Sequence, residues 1–142
     1  MPHSMAAELG SFSRRLRTTA RPESLDEVHE LLADLWAHDP LDVSRRIEFE
    51  SAVAEIAANI IEHTSGDSVT MTLEVRALPD RIEARFEDDG DPVSVDLTAI
   101  ELPDELAERG RGLVIATTVL DRLDYRRDGT VNTWILGRNR VG

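Results

Sequence analysis

The chain has 142 residues, enough for one domain with a real core but too few for two ordinary domains. It contains no cysteine and, on inspection, no lysine, which excludes thiol catalysis, disulfides and chemistry that depends on a lysine amine. A formal net charge of -12 disfavours nucleic acid and anionic membrane surfaces as partners. Because we find neither a membrane-spanning apolar run nor the order of a signal peptide, we expect a cytoplasmic protein.

The N-terminal half is predicted to contain one strand and two helices. We interpret residues 1–10 as a cloning scar and flexible tail, and residues 11–142 as a single domain. Alternation of apolar and polar residues predicts a strand over 12–18. Pro22-Glu23-Ser24 is typical of a helix start, and apolar residues at helical spacing continue to about Ala37. A second helix is predicted over 43–64, with a stripe of apolar residues that we expect to be buried: Phe49, Val53, Ile56 and Ile60.

The C-terminal half is predicted to contain two strand pairs separated by a loop and a helix. Alternating residues predict strands over 69–75 and 82–86, and then a loop over 94–108, a helix over 112–120 and strands over 123–127 and 131–136. Helices grouped among antiparallel strands favour an α+β two-layer sandwich, with one mixed, mostly antiparallel sheet and helices packed on one face.

Glu55 and Asn59 form the first candidate site, because a spacing of four places them one turn apart on the second helix. The Asn oxygen could bind a hard cation such as Mg²⁺, and the Glu could accept a proton from a nearby hydroxyl. An ordinary surface pair on a helix has the same spacing. His63 fits a positive charge at the helix end better than a ligand or base.

Asp88-Asp89-Gly90-Asp91-Pro92 forms the second candidate, directly after a strand. A carboxylate there could accept a hydrogen bond from the amino group of a planar ligand, while Gly90 lets the backbone pass close by. An acidic surface turn is the simpler interpretation of the same residues.

Arg109-Gly110-Arg111-Gly112 forms the third candidate, just before a predicted helix. Glycines free backbone amides to face a phosphate, the helix start adds partial positive charge, and the arginines could add charged donors. A flexible loop with a helix cap is the alternative.

The three segments together, in this order, resemble the GHKL ATPase superfamily over nearly the whole chain. Glu55–Asn59 is similar to its N box, Asp88–Gly90 to its G1 box and Gly110–Gly112 to its G2 box. Within that superfamily the chain resembles the RsbW/SpoIIAB-like anti-sigma-factor serine kinases, in particular through Glu55-Ile-Ala-Ala-Asn59-Ile-Ile-Glu-His63 and Gly129-Thr130-Val131.

The resemblance implies ATP and Mg²⁺ as cofactors and a role for each candidate residue. Asp88 would bind the adenine amino group, with Gly90 giving space and Thr130 helping at that end. Asn59 would hold Mg²⁺. The phosphates would lie against Gly110, Arg111 and Gly112, and Arg109 is the candidate for a charge beside the γ-phosphate. Glu55 would act as general base toward a hydroxyl of the substrate protein.

The resemblance also implies partners: a sigma factor that is sequestered, an anti-anti-sigma (STAS-domain) protein that is phosphorylated, and a second copy in a homodimer. A non-catalytic nucleotide-binding regulator that sequesters a protein is the alternative function. A domain detached from a histidine kinase is a third, disfavoured by the short segment between Asp91 and Glu108.

Overall fold

The protein folds as a five-stranded sheet with two long helices. The structure, a computed structural model, describes residues 12–62, 68–92 and 116–141. A helical turn at 116–119 precedes the last two strands. The elements in chain order are β1 (Phe12–Thr19), α1 (Ser24–His38), α2 (Val43–Glu62), β2 (Thr70–Ala77), β3 (Arg81–Asp88), β4 (Arg122–Asp128) and β5 (Val131–Asn139).

The sheet has the strand order β1-β2-β3-β5-β4, and each of its four pairings is antiparallel. The helix pair α1–α2 joins β1 to β2, and both helices pack against the sheet. The predicted α+β sandwich is therefore confirmed, with one correction: the described strands form an antiparallel sheet, not a mixed one. Short turns explain two of these pairings, β2–β3 and β4–β5, because two strands joined by a tight turn pair antiparallel.

The core lies between the helices and one face of the sheet. The apolar stripe of α2 is buried as predicted, and alternate residues of the central strands point toward it. Those strand residues are Met71, Leu73 and Val75 of β2, Ile82, Ala84 and Phe86 of β3, and Trp134 and Leu136 of β5. The same alternation carries on to Asp88 and Asn132, so two polar side chains stand on the core face at one end of the sheet.

Ser24 fixes the turn from β1 into α1. Its hydroxyl donates to the Thr19 carbonyl at 2.9 Å and accepts from the Arg21 N–H at 3.2 Å. The Ser24 side chain is fully buried, and its two bonds satisfy its own hydroxyl while they hold the turn. The predicted start at Pro22-Glu23-Ser24 is confirmed. Among the described residues, none of the helices combines the length and the apolar character that a bilayer crossing requires.

Candidate functional site

Asp88 ends β3 as a buried carboxylate with one bonded and one free oxygen. The residue is 5% exposed. Its Oδ1 accepts from the Gly90 N–H and from Asn132 Nδ2, both at 2.9 Å. Its Oδ2 is buried and has no hydrogen-bond partner among the described residues. Burial raises the pKa of Asp88, and the bonds from Asn132 and Gly90 oppose that shift only in part.

The turn after Asp88 is shaped to follow the carboxylate closely. A Cβ at position 90 would lie in ordinary contact with the Val69 side chain at 3.5 Å but only 3.0 Å from Asp88 Oδ1, so a residue other than glycine would shift the carboxylate. The Asp89 carboxylate accepts from the Thr70 N–H at 2.8 Å and fastens the turn to the start of β2. The acidic turn predicted from the sequence is thus held by hydrogen bonds: the Asp88 carboxylate is buried, and the Asp89 carboxylate bonds to the start of β2.

Asn132 is a site residue that the sequence analysis missed. It lies on β5 opposite Asp88 and is 1% exposed. Its Nδ2 donates to Asp88 Oδ1 and, at 2.9 Å, to the Asp91 carbonyl. Its Oδ1 accepts from the Tyr125 hydroxyl at 2.5 Å and from Arg127 Nη1 at 3.1 Å. The signal in the sequence was a polar residue in phase with Trp134 and Leu136, which face the core.

Arg127 joins this network to the turn from the neighbouring strand β4. Its Nη1 also donates to the Gly90 carbonyl at 2.8 Å, and its Nε donates to the Gly129 carbonyl at 3.1 Å. Thr130, for which an adenine contact is predicted, lies exposed in the turn beside Gly129, whose φ is 59°. The residue bonded to Asp88 is Asn132, two positions further along, and the role of Thr130 stays a prediction.

Glu55 and Asn59 lie one turn apart on α2, beside the buried Ile56 and Ile60. Glu55 is exposed and Asn59 is half-buried, so the pair flanks the buried stripe at the edge between core and solvent. Helix α2 packs against β3 and β5, the two strands that carry Asp88 and Asn132. The structure thus gives Glu55 access to solvent.

Several predicted residues lie outside the described part of the chain: His63, and the phosphate-binding candidates Arg109, Gly110, Arg111 and Gly112. The predicted helix over 112–120 is described from position 116 only, and the acidic segment after Asp91 only to position 92. Within the described ranges, no group of three or more histidine or acidic side chains could hold a metal ion by itself.

Comparison with known proteins identifies a family model that matches most of this chain. Residues 18–136 match the model of the histidine kinase-like ATPase domain. The RsbU and RsbW domains of Rv1364c from Mycobacterium tuberculosis are similar with a TM-score of 0.61 and 16% identity, over 89% of this chain and 32% of that one. This chain thus spans about a third of the length of the mycobacterial chain in that structure. Among curated proteins, no sequence matches significantly.

Histidine kinase structures show the same similarity. The catalytic domain of histidine kinase ThkA has a TM-score of 0.51 and 14% identity, over 89% of this chain and 96% of that one. The histidine kinase domain of the blue-light activated kinase from Erythrobacter litoralis EL346 has a TM-score of 0.53 and 17% identity, over 87% and 65%. At these identities the similarity shows a common fold. Together with the family match over residues 18–136, it means that the chain belongs to the histidine kinase-like ATPase domain family.

Proposed function

We propose that this protein is an ATP-dependent protein serine/threonine kinase that also acts as an anti-sigma factor. It would sequester a sigma factor and phosphorylate an anti-anti-sigma protein with a STAS domain. Membership of an ATPase domain family implies ATP binding. The observation that carries the proposal is the Asp88 carboxylate, which is buried and keeps one acceptor oxygen without a partner among the described residues.

The Asp88 site fits the adenine end of ATP. A buried acceptor without a donor is costly to a fold, and the exocyclic amine of adenine is the kind of donor that offsets this cost. Gly90 leaves the Asp88 carboxylate uncrowded, because a Cβ at this position would lie 3.0 Å from its Oδ1. Perturbed carboxyl groups in such positions are typical of functional sites.

The phosphates and Mg²⁺ would lie between this site and the Glu55–Asn59 pair. Asn59 would contribute its side-chain oxygen to Mg²⁺, which neutralises phosphate charge when bound. The backbone amides of Gly110, Arg111 and Gly112 would hold the phosphates, and Arg109 would stand beside the γ-phosphate. These assignments rest on the sequence resemblance and remain part of the proposal.

Glu55 would act as the general base for phosphate transfer. Its carboxylate would accept the proton of a serine or threonine hydroxyl on the substrate protein. The hydroxyl oxygen would then bond to the γ-phosphorus, while the bond from that phosphorus to the bridging oxygen breaks and ADP leaves. The exposure of Glu55 supports this role, because a base toward another protein must be reachable from solvent.

Proteins are the partners that the charge of the chain favours. A net charge of -12 repels nucleic acid and anionic lipid. The fold similarity to a protein that contains an RsbW domain supports an anti-sigma system as the setting. We also propose a homodimer and a cytoplasmic location, as the resemblance to RsbW/SpoIIAB-like proteins implies.

Titration calorimetry with ATP and ADP tests the nucleotide site. Asp88→Asn replaces the free acceptor with a group of the same shape, so both nucleotides should bind about tenfold to a hundredfold more weakly. Unchanged affinity would contradict the site assignment. Transfer of labelled γ-phosphate to a STAS protein encoded beside this one then tests the kinase. Tight ATP binding without any transfer would favour the non-catalytic regulator instead.

A further inference from the structure

The hydrogen bonds around Asp88 use its two oxygens unequally. Oδ1 accepts two bonds, from the Gly90 N–H and from Asn132 Nδ2. A carboxylate oxygen has two lone-pair positions, so Oδ1 has no further capacity for a ligand. Oδ2 is the remaining acceptor, and it has no partner among the described residues.

The donors behind Asn132 determine which way its amide points. Tyr125 donates a hydroxyl proton and Arg127 an N–H to the same Asn132 oxygen. On the other side, Nδ2 is surrounded by acceptors: Asp88 Oδ1, the Asp91 carbonyl and, at 3.3 Å, the Gly90 carbonyl. The opposite amide orientation would set NH₂ against the arginine N–H, so Asn132 is held as a donor to Asp88.

We propose that Asn132 is a positioning residue which, held by Tyr125 and Arg127, occupies Oδ1 of Asp88 and leaves a single acceptor oxygen for the base of the nucleotide. This inference rests on the proposed nucleotide site and adds a source of base specificity to it. Adenine presents one amino group beside a ring nitrogen that only accepts. Guanine presents two adjacent N–H donors, which match the two oxygens of a free carboxylate.

A single acceptor therefore favours adenine. With Oδ1 already occupied, guanine would bury one N–H without an acceptor, and a site rejects a ligand that leaves a buried polar group unpaired. Asp88 alone does not make this distinction, because an unrestrained carboxylate pairs well with guanine. The discrimination arises from a residue that need not touch the base.

Affinities for Mg-ATP and Mg-GTP, measured by calorimetry on wild type and Asn132→Ala, test the proposal. Removing the amide frees a position on Oδ1 and loosens the carboxylate. We expect ATP to bind about threefold to tenfold more weakly, and the ratio of ATP to GTP affinity to fall by about tenfold. A merely structural role would weaken both nucleotides alike and leave the ratio unchanged, and that result would overturn the proposal.

Two further variants keep the test decisive. Tyr125→Phe removes one donor to Asn132 without opening a cavity, so the ratio should fall in the same direction by a smaller factor. If Asn132→Ala does not fold, an unchanged ratio in Tyr125→Phe overturns the proposal. Thr133→Val is the matched control, because it alters the next residue of β5 on the opposite face of the sheet, and its ratio should equal that of wild type. Wild type that binds neither nucleotide would instead contradict the proposed function itself, and the inference with it.

Discussion

Strands β3 and β5 run side by side from the Asp88–Asn132 pair at one end to the Arg81–Asn139 pair at the other, next to which Arg138 lies opposite Ile82. Both ends place polar groups on the side of the sheet that faces the helices. At the first end, which we call the site end, a buried carboxylate is held by neutral donors and one of its oxygens has no partner among the described residues. At the second, the ion-pair end, Arg138 donates to two carboxylates, Asp121 at 3.0 Å and Glu48 at 3.2 Å.

The pKa shifts at the two ends have opposite signs. Burial raises the pKa of Asp88. At the ion-pair end, the N–H of Asn139 holds the pKa of Asp121 below its usual value, with Arg138 adding to the effect. An acid with a lowered pKa stabilises the fold when ionised, and an acid with a raised pKa costs stability when ionised. Ionised Asp121 therefore stabilises the fold, whereas ionised Asp88 retains a cost that a ligand can offset. Arg138 Nε is also buried without a hydrogen-bond partner among the described residues, so the two ends differ in the sign of the carboxylate's contribution.

The largest expected effect concerns catalysis and should leave the ion-pair end untouched. Glu55→Gln keeps the shape of the side chain but removes its ability to accept a proton at neutral pH. We expect transfer of labelled phosphate to the STAS protein to fall by about 10²–10⁴-fold, while ATP affinity and the free energy of unfolding stay as in wild type. Glu30→Gln, on the exposed surface of α1, is the matched control. Full transfer in Glu55→Gln would mean that another group is the base.

Arg138→Met should have the converse effect, on stability and not on binding. The variant leaves Glu48 and Asp121 without their shared cation, at a position where the arginine side chain is only 13% exposed. We expect a loss of about 2 kcal/mol in the free energy of unfolding, measured with urea, and unchanged ATP affinity. Arg126→Met, whose side chain is 67% exposed and pairs with Asp128, should cost close to nothing. A large loss of ATP affinity in Arg138→Met would show that the two ends are coupled.

The stability of Asp88→Asn tests whether the buried carboxylate at the site end costs the fold free energy. An asparagine oxygen can still accept from Gly90 and Asn132, and the buried charge is gone. Because the folded-state pKa of Asp88 is raised, ionisation costs wild type stability as the pH rises above the unfolded value of 3.8. We expect the variant to be equal to wild type in acid and more stable by up to about 1 kcal/mol at neutral pH, although it binds ATP more weakly. A less stable variant at pH 7 would show that Asp88 serves the fold.

The sequence predicted the core strands because they bury one face only. Met71, Leu73 and Val75 alternate with polar residues, and so do Ile82, Ala84 and Phe86, which gives the period of two directly. Asp88 and Gly90 could be chosen as candidates in the same way, because a strand end followed by glycine is recognisable within a few residues of sequence. The family match confirms the GHKL-type resemblance that these residues suggested.

The position of Asn132 beside Asp88 could not be predicted from the sequence, because it depends on contacts between residues that are distant in the chain. It bonds to Asp88, which is 44 positions away in the sequence, and this contact depends on the register between β3 and β5. The residues of either strand alone do not determine this register. Tyr125 and Arg127 reach Asn132 only because β4 pairs with β5. The purely antiparallel sheet was missed for a similar reason, since strand order is decided by packing and not by the periodicity of one strand.

Asp121 provides the smallest effect and tests the sign of the argument at the ion-pair end. Its carboxylate accepts from the Asn139 N–H at 2.6 Å and from Arg138, and it is about one-third exposed. Since its folded-state pKa is lowered, its contribution is present above the unfolded value of 3.8 and disappears as the pH falls through the folded value. Asp121→Asn should therefore lose about 1 kcal/mol or less at pH 7, because water screens the pair, and nothing in strong acid. Asp124→Asn is the matched control: this residue pairs with Arg122 on the same strand and is 57% exposed, so its loss at neutral pH should be smaller than that of Asp121→Asn. Urea unfolding of both variants between acid and neutral pH measures the difference. A loss of stability in Asp121→Asn that grows as the pH falls would contradict the difference in sign between the ion-pair end and the site end.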